Sequence, residues 1–168
     1  MTFRQTLSTI LLSTITSLSN AGNTNDFYAL RARTFENKAN SHLVIVKSLV
    51  KAIDALETPE ENLERDISLI LEKEANFYLT MAESYSLAQT NLFHAENFRL
   101  HAKDKKRFNQ LYKQRQECYT LQRKALMEAV SKYEAAAIEE ETTKGNHEKA
   151  KELRDKTLSI LESIPPVK

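Results

Sequence analysis

The chain has 168 residues, 28% of them charged and 41% hydrophobic, and a net charge of only +1. That length suits one domain with a respectable core, and the near-neutral balance nominates neither nucleic acid nor a membrane as partner in bulk, leaving only local patches to do so. Two glycines, three prolines and a single cysteine exclude a turn-rich sheet protein, an intramolecular disulfide and a thiolate zinc site.

Residues 1–25 differ from all that follows. Arg4 is their one charged side chain, serine and threonine abound, and Leu7 to Leu18 holds six leucines or isoleucines. A short apolar region followed by Ser19-Asn20-Ala21 and Gly22 resembles a secretory signal peptide with a small-residue cleavage site. The same Leu7, Ile10, Leu11, Ile15 and Leu18 would share one side of a helix, so 1–21 is read either as a targeting segment or as an extra N-terminal helix. A mitochondrial presequence is the third reading, thinly supported by one arginine. The apolar run is too short to span a bilayer.

Next comes the longest pattern in the chain. Tyr28, Ala32, Phe35, Ala39, His42, Val46, Leu49, Ile53 and Leu56 recur at steps of four and three. Such a seam marks a long helix, on the order of 45 Å, burying one stripe against other helices. Asn23 to Asp26 supply oxygens to cap its start. Thr58-Pro59-Glu60-Glu61 reads as a capping box with proline at the first helical position, so a second helix is expected from Pro59. The short connection folds the pair into an antiparallel hairpin, 26–57 against 59–89.

The second helix carries Leu63, Ile67, Ile70, Leu71, Phe77, Tyr78, Met81, Ala82, Tyr85 and Ala88, a stripe wide enough for more than one neighbour. The pattern weakens at Gln89-Thr90-Asn91, where a turn or kink is expected. From 92 to 142 the sequence is helix-compatible throughout, and a break near Ala102–Lys106 with Asp104 as a new N-cap would keep helix lengths matched. Cys118 falls among its core candidates. Gly145 is a natural C′ residue, Asn146 can cap a final helix over 146–163, and Pro165-Pro166 ends it. The fold expected is a single all-α antiparallel bundle over 22–164, followed by a short tail, 165–168.

Candidate chemistry is sparse. His94 and His101 lie seven residues apart near Glu96 and Glu83, but no Glu-x-x-His or His-x-x-x-His occurs, so a shared metal is disfavoured. No nucleophile elbow, phosphate loop or nucleotide fingerprint is present, and no cofactor is expected. His42 interrupts the central seam, where a polar group can fix register or act as a pH-sensitive joint; the plainer alternative is a histidine at the seam's edge with its tip in water.

Charge segregation is the strongest feature outside the core. Arg99, Lys103, Lys105, Lys106, Arg107, Lys113, Arg115, Arg123 and Lys124 face only Asp104 and Glu117 in their own segment, with Phe98, Phe108, Tyr112 and Tyr119 interleaved. The first seven cations form a candidate patch for an anionic partner. A basic aromatic segment over 98–124 invites an anionic membrane surface and, less readily, nucleic acid. The competing expectation is internal: the acidic segment Glu57 to Glu74 neutralises it if the two helices are neighbours.

Gly145-Asn146-His147-Glu148-Lys149-Ala150, with Ala129 and Tyr133 before it and Pro165 after, resembles the turn and second-helix start of a tetratricopeptide repeat. It is also similar to the small hairpins of microtubule-interacting-and-trafficking domains. The likeness covers about twenty residues, no such period recurs elsewhere, and Glu134 and Ile138 stand where a repeat places its aromatic and its glycine. What the resemblance implies is peptide or protein binding. The expectation is therefore a non-enzymatic interaction protein, self-associating or binding a protein partner, with a membrane-surface bundle as the alternative. Cleavage near Ala21 would make it secreted or periplasmic, and an intact N-terminus cytoplasmic.

Overall fold

Three polar side chains decide where helices begin. Asp66 accepts the backbone N–H of Leu69 at 3.1 Å, Asp104 that of Arg107 at 3.1 Å, and Asn146 that of Lys149 at 3.2 Å. Each satisfies a donor that has no partner within its own helix, a contribution of about 1 kcal/mol per cap. In the computed structural model, which describes residues 24–57 and 66–164, these caps and the first seam give four helices: α1 (Thr24–Glu57), α2 (Ile67–His101), α3 (Lys105–Thr142) and α4 (His147–Ser163). No strand occurs among the described residues, and the protein is all-α.

The helices run alternately up and down. Tyr28 near the start of α1 lies against Phe98 and His101 at the end of α2, and Phe35 against His94 and Phe98. Across the next pair Glu96 meets Arg115, while Ser68 in the first turn of α2 meets Glu140 in the last turn of α3. α1 packs on α2, α2 on α3 and α3 on α4, with no comparable packing between α1 and α4. Among the described residues the bundle is therefore an open array with two edge helices rather than a closed ring.

Its core follows from the seams. Ala32, Ala39, Val46 and Ile53 of α1 are buried, with Phe35, Leu43 and Leu49 packed beside them. The α2–α3 interface alternates small and large side chains: Ala75, Ala88, Ala95, Ala129, Ala136 and Ala137 have no exposed surface, which lets the backbones approach around Leu92, Leu111 and Tyr133. Burying a leucine in this way contributes about 2 kcal/mol. α4 adds Ala150, Leu153 and Ile160 to the same core.

Two boundaries differ from the sequence expectation. The capping box at Thr58, and the tail from Pro165, lie outside the described residues, as does 1–21. Within them, Asp66 is extended (φ −71°, ψ 96°) and caps a helix of its own, so a single helix over 59–89 is corrected to one that starts at Ile67. The turn expected at 89–91 is absent. Thr90 Oγ1 and Asn91 Nδ2 donate to the carbonyls of Ser86 and Leu87, Gln89 reaches Gln122 of α3, and the adjoining Ala88 and Leu92 are core residues. Their polar groups are satisfied without leaving the helix, so packing overrides weak propensity. The break expected near Ala102–Lys106 is present at Ala102–Asp104, with Asp104 capping α3, so the helical stretch 92–142 divides into the end of α2 and Lys105–Thr142.

Candidate functional site

The three arginines of the candidate patch are committed to the fold, and its four lysines are not. Arg99 donates through Nε and Nη2 to Glu36 Oε1 at 3.0 and 2.9 Å, and Arg107 donates through Nε and Nη2 to Glu36 Oε2 at 3.2 and 2.7 Å. One buried carboxylate of α1 thus gathers an arginine from α2 and another from α3. Arg115 Nε donates to the buried Glu96 at 2.7 Å, and its guanidinium lies over the rings of Phe93 and Tyr112. Lys103, Lys105, Lys106 and Lys113 remain exposed around the α2–α3 turn. Of the interleaved aromatics, Phe98 stacks on Phe35 at 5.7 Å and Tyr112 is 46% exposed.

Internal neutralisation therefore occurs, but with partners other than those expected. The antiparallel register sets 66–74 opposite 132–144, far from 99–115. Glu74 Oε2 lies 2.5 Å from Lys132 Nζ, Lys144 reaches Asp66 and Glu140 at 2.6 and 2.9 Å, and Glu72 receives Lys149 and Lys156 of α4 at 3.3 and 3.2 Å. Nothing in the charge pattern alone revealed the inward acids. For Glu36 a signal existed: it falls on the line Ala32, Glu36, Ala39, Leu43, which keeps helical spacing on the buried side.

Ser68 and Lys144 are the nearest approach to a catalytic pair. Lys144 Nζ donates to Ser68 Oγ at 2.8 Å, the geometry of a serine with a lysine base. Hydrogen bonds to Asp66 and then Glu140 raise the Lys144 pKa, so the amine stays protonated and has no lone pair for the hydroxyl proton. Ser68 is 3% exposed and also bonds Asp66 and Glu140. Their carboxyls are held below the usual range, Asp66 at about 2 by Lys144, Ser68 and the Leu69 N–H, and Glu140 by Ser68 and Lys144. The cluster staples the start of α2 to the end of α3.

His94 and His101 sit on rings. His94 lies 5.0 Å from Phe35 and His101 stacks on Tyr28 at 5.3 Å, while His42 is half-buried along the inner line of α1. Among the described residues no group of three His, Cys, Asp or Glu side chains could hold a metal ion. Cys118 is buried, and that burial, with Glu117 adding to it, pushes its thiol pKa up to about 11.

What remains open to a partner is surface. Between the last turns of α3 and the middle of α4 lies a groove of about 400 Å³, lined by Glu134, Ile138, Arg154, Thr157, Leu158 and Leu161. Ile138 is 56%, Leu158 59% and Leu161 41% exposed. A narrower cleft of about 190 Å³ separates α2 from α3 beside Tyr78, Met81, Tyr85 and Leu121. No helix of the described residues is long and apolar enough to cross a membrane. No protein family, curated protein or solved structure compared with the chain matches it, so the surfaces themselves carry the functional reading.

Proposed function

We propose that the protein is a non-enzymatic interaction module that receives an apolar segment of a partner protein in the groove between α3 and α4. The observation that carries this reading is the juxtaposition of Ile138, Leu158 and Leu161, all exposed, in one concave groove with Glu134 and Arg154 at its rim. A partner helix laid there would bury aliphatic anchors one turn apart and meet one charge of each sign at the edge. The likeness of Gly145 to Ala150 to a tetratricopeptide repeat points the same way. The test is selection of displayed helical peptides against the purified protein. Enriched peptides whose binding falls at least about tenfold on Leu158→Glu support the groove. Peptides indifferent to Leu158→Glu and to Ile138→Lys, or no enrichment at all, reject it.

A second reading rests on the exposed lysines at 103, 105, 106 and 113, which would dock the α2–α3 turn on an anionic membrane surface. Flotation with phosphatidylserine vesicles at low salt, lost on changing the four lysines to glutamate, would support it. A mature chain beginning at Gly22 would place the protein outside the cytoplasm, and mass spectrometry of the native N-terminus decides that.

A further inference from the structure

The two edge helices present faces of opposite character. On α1 the positions turned away from α2 recur as Leu30, Thr34, Asn37, Ser41, Val44 and Ser48, an uncharged line about 27 Å long. Val44 is 60% exposed, and Leu30 and the adjacent Ile45 are each 45% exposed. The hydroxyls of Thr34, Ser41 and Ser48 donate to carbonyls four residues earlier, so the line offers few unsatisfied donors. Exposed cations border it on both sides, Arg31 and Lys38 on one, Arg33, Lys47 and Lys51 on the other. The only acid between Asp26 and Asp54 is Glu36, which is turned inward to Arg99 and Arg107.

At the far edge, the outward face of α4 carries Glu148, Asp155 and Glu162 on one line, with Glu152 beside them and Lys151 as the one cation among them. That acidic line is about 21 Å long. Lys149 and Lys156 are drawn to Glu72 and also to Glu152, and Arg154 to Glu141, so Glu148, Asp155 and Glu162 carry the acidic line. Exposed Leu158 and Leu161 adjoin it.

We infer that copies of this chain associate head to tail, with α1 of one copy lying antiparallel along α4 of the next. The inference rests on the reading that exposed helix faces carry the function, and it names a second copy as one occupant. Charge complementarity selects that pairing. α1 against α1 would bring five cations onto five, and α4 against α4 would bring acids together, so symmetric dimers are opposed by like-charge contact. Helix direction agrees as well: α1 to α4 alternate up and down, and a neighbour's α1 after α4 continues the alternation. Such a contact uses different surfaces on the two partners, so each pairing leaves one free edge on each copy and association continues past the dimer.

Sedimentation velocity of the whole chain across a concentration series tests it. At about 50 mM salt the average mass should grow with concentration past the dimer, and at about 500 mM it should return to monomer. Lys47→Glu with Lys51→Glu should give a monomer, as should Asp155→Lys with Glu162→Lys. The chain carrying all four changes should regain salt-sensitive association, because each edge again meets its opposite. A monomer at every concentration in low salt overturns the inference, as do single-edge variants that still associate or a four-fold variant that does not recover. Binding of groove peptides to a protein that stays monomeric would sink self-association while leaving the interaction module intact.

Discussion

Lys103 closes α2 with a backbone that a lysine rarely adopts. Its φ is 58°, its N–H donates to the Leu100 carbonyl and the Asp104 N–H to that of Arg99, the paired bonds of a Schellman ending with lysine at the position glycine usually fills. Lys103→Gly should raise stability by about 1 kcal/mol in urea unfolding, since glycine carries no left-handed penalty, while Lys103→Val should lower it. Asp104, Asn146 and Gly145 were legible in sequence because caps and left-handed turns have fixed chemistry. Lys103 was not, because the closing motif overrides its preference. Asp66 supplies a pH test. Its carboxyl is depressed from 3.8 to about 2, first by the Lys144 ammonium. A depressed acid stabilises the fold above its unfolded pKa and loses that contribution as pH falls through the folded one. The Tm gap between wild type and Asp66→Asn should therefore be constant above about pH 4 and close toward pH 2. Cys118, buried with a raised pKa, should resist a thiol reagent at pH 8 until denaturant is added.

Among the helices, α1 depends most on a single side chain. Apart from its packing on α2, it is tied to α3 through Glu36, which holds Arg107 as well as Arg99. Glu36→Ala would leave the Arg99 guanidinium, 12% exposed, with only its longer 3.5 Å contact to Asp104, and should cost about 3 kcal/mol. The loss should appear in hydrogen exchange as faster opening of α1, with α2 and α3 little changed. Replacing Glu36 and Arg99 together by leucine and methionine should recover much of it, since the desolvated charges go with their partners. The α1 seam itself was readable: every position from Tyr28 to Leu56 on it is buried or half-buried, His42 included. The partners of the inward glutamates were hidden because one-dimensional charge runs carry no register. Only the antiparallel crossing shows that 66–74 faces 132–144 and that Glu36 faces the α2–α3 turn.

Across the whole molecule, helix class and number follow from periodicity, but openness does not. An apolar stripe says that a helix is covered, and not whether the first and last helices cover each other. Among the described residues they do not, and the consequence is a gradient of stability. α2 and α3 each have neighbours on two sides, while α1 and α4 are each held mainly on one. Opening an edge helix breaks one interface. Opening a central helix breaks two, and exposes Leu92, Leu111 and Tyr133 together. Amides over 88–95 and 125–137 should therefore exchange only through global unfolding, with protection that falls in step with denaturant. Amides at the centres of α1 and α4 should exchange through local opening, at lower free energy and with a weaker denaturant dependence. Equal protection in all four helices would mean that the edges are covered in solution. If equalisation appeared only at high protein concentration and vanished in salt, the cover would be the neighbouring copy, because the charged edge contact is the only one of these interfaces that concentration and screening both control.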